Sequence, residues 1–303
     1  MILLDLSVGS SNQNIFELIN NLAGNINSNA DVVLFNLRIP HVLCSLLAGS
    51  ILGICGCVLQ SSLGNPLAAP STIGVSQGAS CGACIAIVFG ASLFGTSISV
   101  VLFAFIFALI PTLIIFLISK LRKFSATSII LCGIAMSIFF GGLVALIEYF
   151  ADSSQVAEVV FWTFGSVQGV SYANLIFMAI MLLFVLLYSL LSSMNFNALE
   201  CGDITAHSVG INVSKTRLRH LVIAALGASC VTAFCGTINF IGLIAPHIMR
   251  RFVGSNYKHL IPSSAFCGAG LLLLSDIISQ IILPGAVLPI GAITSFIGAP
   301  IFI

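Results

Sequence analysis

Charge is what this chain has least of. Its 303 residues include 10 Lys and Arg and 9 Asp and Glu, 6% charged in all, with a formal net charge of +1. So thin a charge density excludes a soluble globular domain, and a balance near zero leaves no basic footprint for nucleic acid. A glycine-rich phosphate loop closing on Gly-Lys-Ser or Gly-Lys-Thr is missing too, so energy from ATP would have to come from a partner. No nucleophile stands beside a base in the sequence, which removes the ground for an enzyme reading. Residues 1–9 are apolar but lack a basic start and are too few to span, which excludes both a signal peptide and a transmembrane helix there. Ten cysteines are present, yet most sit inside apolar runs as small hydrophobes, where disulfides are not expected. The lone Cys-x-x-Cys, Cys81 to Cys84, has no second pair and no neighbouring histidine, so neither a metal site nor a cofactor is expected.

What the chain does have is 59% hydrophobic residues and a mean hydropathy of +1.18, the composition of a polytopic membrane protein. Helical spans are expected at 41–63, 67–89, 97–119, 125–149, 172–191, 221–236, 261–283 and 287–303. Residues 10–37 read as a polar lead-in with one amphipathic helix at 15–22. Gly49, Gly53 and Gly56 in the first full span are small enough to let helices approach closely. Two interruptions stand out, Asn65 to Pro70 and a short apolar segment at 238–249 carrying Pro246 and His247. Paired interruptions of this kind mark transporters, because unwound backbone is tolerated at membrane depth only against protein or a cavity. Alternating spans place Lys120, Arg122, Lys123, Lys215, Arg217, Arg219, Arg250, Arg251 and Lys258 on one side and Arg38 on the other. The crowded side is the cytoplasm.

On that side lies a polar island, residues 195–220, with Glu200, Asp203, Lys215, Arg217 and Arg219. A helix is expected over 198–209, stopped at Gly210, with a second turn starting near Ser214. Composition leaves two readings open, a solvated loop or a docking knob. Glu148, Asp276 and His247 are the ionisable groups nearest membrane depth. Glu148 can reach interfacial water from its span end. Asp276 suits either a functional role or a helix-to-helix hydrogen bond. Gln60, Asn65, Ser76 and Gln77 are either pathway groups or interhelical hydrogen bonders.

Four stretches carry a resemblance. Residues 199–213, from Leu199-Glu200-Cys201-Gly202-Asp203 to Val213, resemble the "LGDxxAxxLGVxV" loop of the iron-complex and vitamin B12 ABC importer permeases. Asn65-Pro66-Leu67-Ala68-Ala69-Pro70 with the run 74–79, the run 239–250 with its "PHxxR" residues Pro246, His247 and Arg250, and Leu288-Pro289-Ile290-Gly291 with Gly298-Ala299-Pro300 follow the family's other signatures. The resemblance implies an all-α type II ABC importer permease fold with about nine to ten transmembrane helices in two inverted-topology halves, in a bacterial cytoplasmic (inner) membrane. It implies one permease domain over 1–303, with residues 1–37 standing where a complete first span is usual. That start is expected to be either naturally short or incomplete. Residues 194–220 become a coupling loop, with Leu199, Glu200, Gly202, Asp203, Ala206 and Gly210 facing a cytoplasmic ATPase pair. Ser125, Ala126 and Thr127 take the place of the cytoplasmic gate, and Gln60, Asn65, Pro66, Ser76 and Gln77 lie near the pathway. Pro246, His247 and Arg250 resemble positions regarded as structural. Arg38 and His41 match the "RLPR" entry, where arginines dock an extracytoplasmic binding protein, and Gln280 takes a third such position. A second permease copy completes the expected assembly. The cargo implied is an iron-siderophore or haem complex, with cobalamin as the alternative. An ion-driven secondary transporter is the rival class and would call for paired acids inside the spans.

Overall fold

The structure is a computed structural model, and it describes residues 1, 34–90, 96–121, 125–282 and 288–302. The amphipathic helix expected at 15–22, and Arg122 and Lys123 of the basic turn, lie outside the described residues.

Proline sets where the first long helix begins. A five-residue π-helical turn, Leu34–Arg38, leads into α1, Ile39–Leu63, with Pro40 in its first turn, where a missing N–H costs nothing. α1 ends on Gly64 in the left-handed conformation, φ 56°. Beyond it the span expected at 67–89 does not form as one helix. Pro66 and Pro70 break it, a 3-10 turn covers Pro70–Ile73, and the regular helix α2, Val75–Val88, is only 14 residues long. Two long apolar helices follow, α3 (Thr96–Leu121) and α4 (Ala126–Phe150). A helix not expected from the sequence, α5 (Ser153–Phe164), starts at Asp152, whose backbone N–H is capped by Gln155.

α6, Tyr172–Leu191, matches its expected bounds. The polar island then forms two short helices, α7 (Ser193–Glu200) and α8 (Asp203–Ser208), instead of the single helix expected over 198–209. Gly202, at φ 100°, makes the break. α9 runs from Val213 to Cys235, so the turn expected near Ser214 and the span expected from 221 form one helix; Asn212 caps it by accepting from the Lys215 N–H. The broken segment becomes α10 (Ile241–Val253), followed by α11 (Tyr257–Ile281) and α12 (Ile290–Phe302).

Among the described residues, six helices are long and apolar enough to cross a membrane: Leu34–Leu63, Ile98–Ser119, Ala126–Phe150, Tyr172–Leu191, Val213–Cys235 and Tyr257–Ile281. They are not equivalent. α1 is 78% buried over its apolar window, whereas α4 is 17% buried and α6 22%. α1 is therefore the axis of the molecule, packed against α6, α9, α10 and most extensively α11. Glycine makes that packing possible. A Cβ at Gly53 would stand 2.3 Å from the Ser264 carbonyl oxygen of α11, and one at Gly56 only 1.5 Å from the Gly242 carbonyl oxygen of α10. With lipid tails as apolar as leucine, backbones brought this close gain by dispersion what water would otherwise supply.

Candidate functional site

Three regions carry polar chemistry: a knob on the cation-rich side, a cavity between α2, α4 and α5, and a cluster at the start of α1. The knob is a small domain with its own core: Leu199, Ala206 and Val213 are buried against one another, with Ala198 and Ile211 packed alongside. Its acids are tied to the long helices. The Arg217 guanidinium donates to Asp203 at 2.7 and 3.4 Å and its Nε to the Ser62 carbonyl at the end of α1, while Arg250 lies 3.5 Å from Glu200 and donates to the Tyr257 hydroxyl. Asp203 also sits in the first turn of α8, where the helix dipole favours a negative charge. Ser61 donates to the Phe196 carbonyl, and the Tyr257 N–H to Asn197. Of the six residues expected to face a partner, Leu199 and Ala206 are thus internal, and Glu200 and Asp203 brace the knob. Gly202 and Gly210 shape its turns, each at positive φ. Two apolar side chains are left on the outside, Ile204 at 88% and Val209 at 64% exposed, beside the exposed polar residues Thr205, His207 and Ser208. Sequence reading missed these two, although an isoleucine and a valine inside a polar island were the available signal.

The cavity holds about 380 Å³ and is walled by Ser76 and Gln77 of α2, Ser137 and Glu148 of α4, Thr163 of α5, and Asn239. Ser76 and Gln77, both expected near a pathway, therefore share one cavity wall. Gln60 is elsewhere, buried in α1 and donating to the Leu243 carbonyl, and Asn65 holds the turn at Pro66 by accepting from the Leu67 N–H. Glu148, half-buried, joins the wall; from the sequence it was placed at a span end near water. Beside Asn239 the backbone is strained, with Phe240 at φ 66° opening α10, a conformation a bulky residue seldom adopts. Ser125 caps α4 by accepting from Ser128 N–H; Ala126 is half-buried and Thr127 exposed, and none of the three lines the cavity.

At the other end of α1, Arg38 is buried, 9% exposed. His41 Nε2 lies 2.9 Å from the carboxylate of Asp276, which is fully buried and also receives Gln280 at 3.3 Å and Ser45 at 3.5 Å. The three positions expected to meet a binding protein thus include one that is buried and two that converge on an acid of α11. Pro246 is buried in α10, His247 lies beside it half-buried, and Arg250 joins the knob.

A model of the FecCD transport family matches residues 1–303. The chain belongs to that family. Among FecCD relatives, the vitamin B12 import system permease protein BtuC of Vibrio vulnificus is 36% identical over 271 residues, covering 89% of this chain and 81% of BtuC. The hemin transport system permease protein HmuU of Yersinia pestis is 31% identical over 307 residues, 100% of this chain and 92% of HmuU. A solved structure described as an inward-facing conformation of a metal-chelate type ABC transporter superposes with a TM-score of 0.84 at 30% identity, covering 99% of this chain and 92% of that one. This FecCD protein is accordingly a multi-pass permease of the inner membrane, of the ABC importer class.

Proposed function

We propose that the chain is one of two permease copies in an importer that carries an iron-siderophore or haem complex into the cytoplasm, with cobalamin as the alternative cargo. A pair of cytoplasmic ATPase subunits docks on the α7–α8 knob and a binding protein delivers cargo from outside. α2, α10 and α12 complete the long helices to about nine crossings in two inverted halves, α2 and α10 being the broken pair. Ser125, Ala126 and Thr127 form the cytoplasmic gate, and Arg38 and His41 lie at the outer docking end. The knob's design carries the reading: it is braced from within by Arg217 and Arg250 yet turns Ile204 and Val209 outward. Two apolar anchors among polar neighbours on a rigid base fit a cleft in a soluble partner. An ion-coupled transporter would call for paired acids inside the spans, whereas Asp276 is bonded to His41, Ser45 and Gln280 and Glu148 lines a separate cavity.

Ile204→Asp tests the docking directly. The variant permease should insert and fold normally, lose copurification with the ATPase, and lose uptake in cells. An ATPase that still copurifies in full removes the knob as the docking surface.

A further inference from the structure

The cavity carries a sign, and the sign selects the cargo. Glu148 is the ionisable residue in its wall, and no ion pair to Glu148 occurs among the described residues. From Phe124 to Ala206 the sequence has no Lys, Arg or His, so α4, α5 and α6 bring no cation to this side. Asp152 and Glu158, both exposed, add further negative charge on the α4–α5 turn and on α5 itself.

Helix ends decide the rest. Helix N-termini present about half a positive charge and C-termini about half a negative one. Two N-termini meet the cavity, α2 through Ser76 and Gln77 and α10 through Asn239. Three C-termini meet it as well: α4 through Glu148, α5 through Thr163, and α9 through Thr237 just beyond Cys235. Among the regular α-helices the C-termini outnumber the N-termini, the one-turn 3-10 segment that contributes Ser71 is too short to carry a comparable dipole, and the carboxylate adds a whole charge to the negative side. Glu148 also stands in the last turn of its helix, where the dipole opposes an acid, so it gains nothing there as a structural residue. The remaining wall is largely hydroxyl and amide, groups that hydrogen-bond a polar cargo without adding charge.

We infer that Glu148 makes this cavity a charge filter that passes metal chelates of neutral or positive net charge, such as hydroxamate complexes, and disfavours polyanionic ones. The inference rests on the permease reading above and narrows its cargo class. The two copies of the importer would each contribute one such wall.

The test uses the permease–ATPase complex in proteoliposomes with the binding protein supplied on the outer side, and three probes: a ferric trihydroxamate bearing one ammonium group, its N-acylated neutral form, and a trianionic ferric tricatecholate. Wild type should favour the cationic over the neutral probe and the neutral over the anionic, and Glu148→Gln should lower the cationic-to-neutral ratio about tenfold, as removing one charge a few ångströms away in a partly wet site would. Glu148→Asp should keep the ratio. Thr163→Lys, which adds a cation to the same wall and leaves Glu148 in place, should shift it in the same direction as Glu148→Gln. If the complex carries the probes at a ratio indifferent to all three substitutions, the charge filter is wrong and the permease reading stands. If wild type carries none of the probes, the cargo class fails and the filter fails with it.

Discussion

Asp276 illustrates how far apart in sequence a residue's environment can be assembled. An acid at membrane depth is costly unless paired, and its partner His41 is 235 residues away. The sequence marked both residues, but separately: His41 as a cation for an outside partner, and Asp276 as a functional acid or a helix-to-helix bond. Spacing along a chain says nothing about which helices become neighbours, so the pair was illegible. Asp276→Ala, which strips the His41, Gln280 and Ser45 contacts at once, should cost about 3 kcal/mol of stability, as breaking a buried pair does. Asp276→Asn, which keeps an acceptor in place, should cost far less, read as thermal unfolding of the detergent-purified permease. Glu148 was legible only in part, for a similar reason. Its position near a span end was visible, while the wall around it is contributed by four separate elements.

At the level of elements, the sequence predicted long apolar helices well and interrupted or polar ones badly. α6 has its expected bounds because apolar composition alone sets them. The turn expected near Ser214 continues without a break into the span expected from 221 because Arg217, one of the island's cations, is buried and bonded. α5 went unrecognised because its mixed polarity gives no span signal. The α7–α8 split depends on one glycine conformation at 202, and composition cannot distinguish a helix interrupted by glycine from one that contains it. Gly53 allows a sharper expectation, since the span's glycine spacing was read as a packing face and the structure puts backbone against it. Gly53→Ile should lower stability by about 2–3 kcal/mol through overpacking, whereas Gly270→Ala, with nothing within 4 Å of the new methyl, should be neutral or slightly stabilising. Comparing unfolding temperatures of the two variants checks both.

For the whole molecule, burial is lopsided. α1 is enclosed, while α4 leaves large apolar side chains such as Ile138 and Phe139 uncovered beside the cavity wall. A second copy of the chain facing α4 would close the cavity into a conduit and bring the exposed Thr127 near its twin. In a background cleared of reactive cysteines, Thr127→Cys should therefore crosslink between copies in one nucleotide state of the ATPase and not the other. Crosslinking blind to nucleotide would leave a static contact in place of a gate. The enclosure of α1 also has a consequence during synthesis. α1 is translated among the earliest helices, yet α11, which covers its glycine face, follows some two hundred residues later. At about 5–20 residues per second the ribosome delivers Asp276 roughly 10–50 s after His41. Throughout that interval the nascent chain holds a glycine groove and an unpartnered histidine in the bilayer. Premature termination anywhere before α11 should thus yield not a smaller permease but an inserted fragment whose central helix is still waiting for its walls, and such a fragment is a natural substrate for membrane quality control.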